Sequence, residues 1–147
     1  MNRIALSMQH KQSINDILTS AENIAVIGAS SKAYRTSNHI MQYLLDQNYR
    51  LFPVNPNEGA VLDHESYNSV MDIPADIRID IMVIFRNRQY TEEMVRDIVT
   101  WSEKTESSPV IWTQLDVSSP EAELLAEEAE LPYVKNRCIM VEHRSVV

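Results

Sequence analysis

The chain has 147 residues, 44% of them hydrophobic, enough to bury one sizeable core and too few for two ordinary domains. Thirteen Lys and Arg against 21 Asp and Glu leave a net charge of −8, so non-specific attraction to nucleic acid or to an anionic membrane is disfavoured, and a polyanionic ligand needs a local basic pocket. No apolar run approaches the roughly 20 residues that cross a bilayer, the first residues lack a signal-peptide pattern, and the single Cys138 excludes an internal disulfide; a cytosolic location and an organic rather than a metal cofactor are expected.

Residues 1–21 read as a polar lead-in with a helix from Ser13 to Ala21, and residues 22–147 as the folded domain. IAVIG, ending at Gly28, is a short continuous apolar run of the kind that forms a strand buried on both faces. The helix after it carries Ile40, Met41, Leu44 and Leu45 at helical spacing, with Thr36, Ser37 and Asn38 as candidate caps. RLFPVN, Arg50 to Asn55, reads as the second strand, with Pro53 near its end because proline cannot donate a ladder hydrogen bond.

The following stretch is too short for a full crossover helix and predicts two short strand pieces, Ala60 to Leu62 and Glu65 to Tyr67, then one helical turn before Pro74. IDIMVIF (79–85) is the next buried strand, and Met94, Val95, Ile98, Val99 and Trp101 mark the apolar face of the helix behind it. PVIWTQ is a further strand. A helix then starts at Pro120 with Ser119 as its cap, and Tyr133 to Val134 adds a last short strand. Strands alternating with helices predict an α/β fold: a Rossmann-like, doubly wound, mostly parallel sheet of about five strands with helices on both faces.

In such a sheet ligands bind beyond the carboxyl ends of the strands, so the loops there are the informative ones. The first, GASSKAYRTS, combines backbone amides, hydroxyls, Lys32, Arg35 and a helix N-terminus, a set suited to phosphate. The third, FRNRQ, brings Arg86 and Arg88 beside it if the two strands are neighbours. A nicotinamide or flavin dinucleotide is disfavoured, because the loop has Gly28 where the fingerprint wants three glycines and the second strand ends in Val54-Asn55-Pro56 where an acid would bind ribose. No glycine-rich Lys-Ser or Lys-Thr pair marks a nucleoside triphosphatase.

Chemistry by nucleophile has weaker support. Cys138 has Lys135 and Arg137 nearby but sits beside apolar Ile139 and Met140, which fits a packed thiol better than a reactive one. Glu142 and His143 read as a terminal surface ion pair, Ser30 and Ser31 lack the flanking glycines of a nucleophile elbow, and His10, His39 and His64 have no metal-ligand spacing.

The order of IAVIGASSKAYRTSNHIMQYL, YRLFPVNPNEGAVL, SYNSVMDIP, IDIMVIFR, VIWTQLDV and KNRCIMVEHR resembles the small stand-alone CoA-binding proteins, related to the CoA-binding domain of succinyl-CoA synthetase α subunits, over about residues 22–144. The resemblance implies a coenzyme A or acyl-CoA ligand. Gly28, Ala29, Ser30, Ser31 and Lys32 would receive the diphosphate, with Arg35 and Ser37 closing the loop. Asn55 and Pro56 would border the adenosine side, Phe85 and Arg86 would lie over the nucleotide or pantetheine, and Trp112 and Gln114 would line the outer cleft. The synthetase's phosphohistidine lies in another domain, so the resemblance implies a sensor, carrier or partner-dependent module, with a protein partner or homo-oligomer in view. A small thioesterase or acyltransferase using Cys138 or His143, and an interaction domain without ligand, are the alternatives.

Overall fold

The computed structural model describes residues 14–146. Helix α1 is described over residues 14–20, in line with the expected lead-in helix, whose Ser13 start lies outside the described residues. Then follow β1 (Asn23–Ile27), α2 (Thr36–Asp46), β2 (Arg50–Val54), β3 (Ala60–Val61), β4 (His64–Glu65), β5 (Ile81–Ile84), α3 (Thr91–Thr105), β6 (Val110–Thr113), α4 (Pro120–Glu128), β7 (Tyr133–Val134) and α5 (Ile139–Arg144). Five strands form one sheet in the order β2-β1-β5-β6-β7, every adjacent pair parallel. This is the expected Rossmann-like α/β fold, with strand order reversing between β1 and β5.

Alternation along the central strands divides the core in two. Ile24 and Val26 of β1, Ile81 and Val83 of β5 and Trp112 of β6 pack with Leu18, Ile40, Met41, Leu44 and Ile139, which places α1, α2 and α5 on one face. Ala25, Ile27, Met82, Ile84 and Ile111 pack with Val95, Ile98, Trp101, Ala122 and Ala126, which places α3 and α4 on the other. Both faces are covered, so these strands read as unbroken apolar runs in the sequence.

Between β2 and β5 the chain forms the β3–β4 hairpin and a 3₁₀ turn, Val70–Asp72, instead of a helix. The second hairpin strand runs His64–Glu65, one residue earlier than the sequence suggests, and Tyr67 is joined to β2 by an isolated bridge to Val54. Pro53 is accommodated because β2 is an edge strand. The Trp101 indole N–H donates to the Ile73 carbonyl at 3.0 Å, tying the 3₁₀ turn to α3.

Helix α5 has no clear sequence signal. It is six residues long, and its N-cap residue, Cys138, makes no side-chain capping bond. Its first amide, Ile139 N–H, instead donates to Gln114 Oε1 at 2.9 Å, so a residue from the end of β6 starts the helix. Glu142 pairs with Arg137 at 2.8 Å, not with His143, which corrects the ion pair expected from their adjacency. His143 Nδ1 shares a 2.7 Å hydrogen bond with the Tyr43 hydroxyl, and its ring meets those of Tyr43 and Tyr49 edge-on.

Two outcomes test this packing. Ser119 Oγ accepts the Ala122 N–H at the start of α4, so Ser119→Ala costs about 1 kcal/mol, roughly 2–4 °C in Tm for a chain of this size, measured by calorimetry. Burial holds the His143 pKa below its ordinary 6.5, so the unfolded chain takes up this proton first. The corresponding stability is complete above about pH 6.5 and is lost as pH falls through that value towards the folded pKa. Between pH 7.5 and 5.5, Tm therefore falls further in the wild type than in His143→Phe.

Candidate functional site

Because all the strands of the main sheet are parallel, their carboxyl ends share one edge, and β1 and β5 end side by side there. Gly28 follows β1 with φ of +90°, a conformation L side chains rarely adopt. Its N–H donates to Val54 O on β2 at 2.9 Å, and the Phe85 N–H donates to Ile27 O at 2.8 Å. A Cβ at Gly28 would lie 3.2 Å from both the Phe85 carbonyl carbon and Arg86 Cδ. Glycine is therefore needed for conformation and for space, and the first and third loops meet as the sequence anticipated.

Polar side chains shape the first loop from below. Asn55 Nδ2 donates to Ala29 O at 2.7 Å, and Asn38 Nδ2 donates to Ser30 O at 2.9 Å. Asn55 Oδ1 also accepts the Asn57 N–H, and the Glu58 N–H returns to Asn55 O, so Asn-Pro-Asn-Glu forms a tight turn with Pro56 in the position proline favours. Asn55 thus positions the loop with the amide expected to border a ligand. Ala29, Ser37 and Asn38 are buried, whereas Ser31, Lys32, Ala33, Tyr34, Arg35 and Pro56 are exposed at the mouth.

The turn delivers Glu58, which the sequence reading passed over. Its carboxylate accepts the Ser31 N–H at 2.6 Å and the Ser31 hydroxyl at 2.9 Å. These donors, foremost the backbone amide, hold the Glu58 pKa below its ordinary value, with a smaller contribution from the charge of Lys32. An Asx-Pro turn closing on an acid was the available signal for this contact.

Arg86 is half-buried, with its guanidinium 4.4 Å from the centre of the Tyr90 ring, while Arg88 is exposed in the following 3₁₀ turn. Phe85 packs against the core on the α2 side. At the start of α2, Arg35 is the N-cap without a side-chain bond, and the first turn holds no acid, whereas α3 begins with Glu92 and Glu93 and α4 with Glu121 and Glu123. Thr36, Ser37 and Asn38 do not cap α2 in the sense expected, since Asn38 reaches back to the loop instead. The positive end of the α2 dipole follows directly on Lys32 and Arg35 without a helix-borne carboxylate to offset it, while the Arg86 side chain passes Gly28 on the facing loop.

Trp112 and Gln114 lie elsewhere. Trp112 is 0% exposed and Gln114 7%, so neither lines an outer cleft. The Trp112 indole N–H donates to Arg137 O at 2.8 Å and Gln114 accepts from Ile139, so both hold the segment leading into α5. That segment borders a groove of about 440 Å³ lined by Leu115, Lys135, Asn136, Arg137, Cys138, Val141 and Glu142. None of the residues expected to bind a ligand lines it. Cys138 borders this groove and packs partly against the core, while His143 bonds to Tyr43 near Tyr49, the residue preceding the amino end of β2. Among the described residues no helix is long and apolar enough to cross a membrane.

Residues 22–144 match the CoA binding domain family. Over 133 residues, 90% of this chain and 93% of the other, the sequence is 29% identical to the uncharacterized protein YneT of Bacillus subtilis. A solved structure of a hypothetical protein from Pyrococcus horikoshii superposes with a TM-score of 0.83 at 38% identity, covering 92% of this chain and 90% of that one. A shorter match, 32% identical over 63 residues, relates 43% of this chain to 9% of an ADP-forming acetate–CoA ligase from Methanocaldococcus jannaschii, so the chain corresponds to a small part of that enzyme. With its family match spanning both the Gly28 loop and the Arg86 loop, the chain belongs to the CoA-binding domain family.

Proposed function

We propose that this protein binds coenzyme A or an acyl-CoA through the diphosphate, at the β1–β5 switch point, and acts as a sensor, carrier or partner-dependent module without catalysis of its own. The observation that carries this reading is the meeting of the Gly28 loop with Arg86, on a loop that offers the Ser31 donors and runs through Lys32 and Arg35 into the N-terminus of α2. The Glu58 carboxylate on the Ser31 N–H and hydroxyl is an anion already held by this donor pair, so the loop suits a phosphate oxygen. Coenzyme A would supply a terminal thiol that can carry an acyl group as a thioester. The residues of this chain supply charge and hydrogen bonds to its phosphates: Ser31 and the α2 amides as donors, Lys32 and Arg35 from the exposed rim, and Arg86 from the facing loop. Asn55 and Asn38 hold the loop in shape.

Three experiments test the proposal. Coenzyme A at a hundredfold excess over its Kd should stabilise the fold by about 2.7 kcal/mol, which is roughly 5–10 °C in Tm for a chain of this size. Arg86→Gln weakens binding by roughly ten- to a hundredfold, since a charge-assisted contact is worth about 1.5–3 kcal/mol, and Lys32→Ala weakens it less because Lys32 is exposed. Absence of any wild-type shift at millimolar coenzyme A would overturn the reading. In Gly28→Ala, the positive φ and the 3.2 Å approach to Phe85 lower the stability by about 1–3 kcal/mol and abolish the coenzyme A response, with calorimetry reading both effects.

A further inference from the structure

Glu58 holds the strongest donor pair of the first loop. Its two carboxylate oxygens take the Ser31 N–H at 2.6 Å and the Ser31 hydroxyl at 2.9 Å, and it comes from the loop after β2, so it is not part of the phosphate loop itself. The loop's shape does not depend on it: Asn55 and Asn38 fix the Ala29 and Ser30 carbonyls, the Lys32 N–H bonds to Ser30 Oγ, and the Arg35 N–H closes on Lys32 O. A carboxylate bridging an amide and a hydroxyl has the charge and the oxygen spacing of one edge of a phosphate group. Two anions cannot share these two protons.

We propose that Glu58 is a resident competitor that sets the ligand affinity of this site: a ligand phosphate takes over the Ser31 donors only by displacing the Glu58 carboxylate into solvent. The inference rests on the coenzyme A reading above and adds to it a residue that weakens binding while remaining outside the bound contacts. The displaced carboxylate is readily hydrated, because Glu58 already borders solvent, and the ligand gains Arg86 and the α2 N-terminus in addition to Ser31. Binding at Ser31 is therefore an exchange of one anion for another, and net affinity comes from the remaining contacts.

The test compares wild type, Glu58→Gln and Glu58→Ala by isothermal titration with coenzyme A and with inorganic pyrophosphate, in 0.15 M and 0.5 M salt. Competition predicts about tenfold tighter binding of both probes in both variants, with most of the gain persisting at about 0.5 M salt, where long-range attraction is screened. A gain that vanishes in high salt is ordinary charge removal and overturns the proposal. Unchanged or weaker binding in both variants, with wild type still binding coenzyme A, also overturns it and leaves the coenzyme A reading standing. No binding by any of the three proteins overturns both. The Ser31 amide resonance provides a second readout. In the free proteins it differs between wild type and Glu58→Gln, and with saturating coenzyme A the two converge, because Glu58 has left in the wild type. Bound spectra that remain distinct at Ser31 place Glu58 still on the loop and overturn the exchange.

Discussion

Because β1 is hydrogen bonded to β2 on one side and to β5 on the other, the loops leaving all three strands emerge at one edge within reach of each other. The contacts at the mouth follow from this pairing. Gly28 closes on Val54 of β2 and lies against Phe85 and Arg86 beyond β5, and Asn55 crosses from the β2 loop to hold Ala29. A side chain at position 28 would separate the first and third loops, and with them the serine donors from the half-buried arginine.

The pairing is secured away from the mouth. Each central strand is covered on both faces, so a shift of register by one residue would exchange one set of apolar side chains for the other and disturb both halves of the core. The polar mouth is thus carried on strands buried on both faces. Its electrostatics are local: in a chain of net charge −8, Lys32 and Arg35 lead into the one long helix, among the described residues, whose first turn lacks an acid. Glu58 is the acid at this corner, where its carboxylate accepts both Ser31 donors.

The end of the chain follows a different logic. Trp112 and Gln114 lie at the carboxyl end of β6, where a sequence reading naturally looks for ligand contacts, yet both are buried and hold the approach to α5. Tryptophan and glutamine have large apolar or amide bodies with a polar tip, and such groups serve equally well as pocket walls or as struts. Only burial distinguishes the two uses. His143 makes the same point on α5, where it belongs to an aromatic contact with Tyr43 and Tyr49.

The sequence by itself determined the number, order and type of the main elements, the parallel character of the sheet and the loop that gathers donors and cations. Period, caps and breakers are local properties, and Ser119 with Pro120 or the single Gly28 act wherever the chain places them. Tertiary structure decided the rest: that Arg86 meets Gly28, that Asn55 and Asn38 are struts beneath the loop, that Glu58 reaches Ser31 across 27 positions, and that a six-residue α5 forms at all. Each depends on groups distant in sequence, whose distance is set by strand order and by the burial of both sheet faces. A short helix without a side-chain cap carries no local pattern, and the Asx-Pro turn before half-buried Glu58 marks the acid without naming its partner.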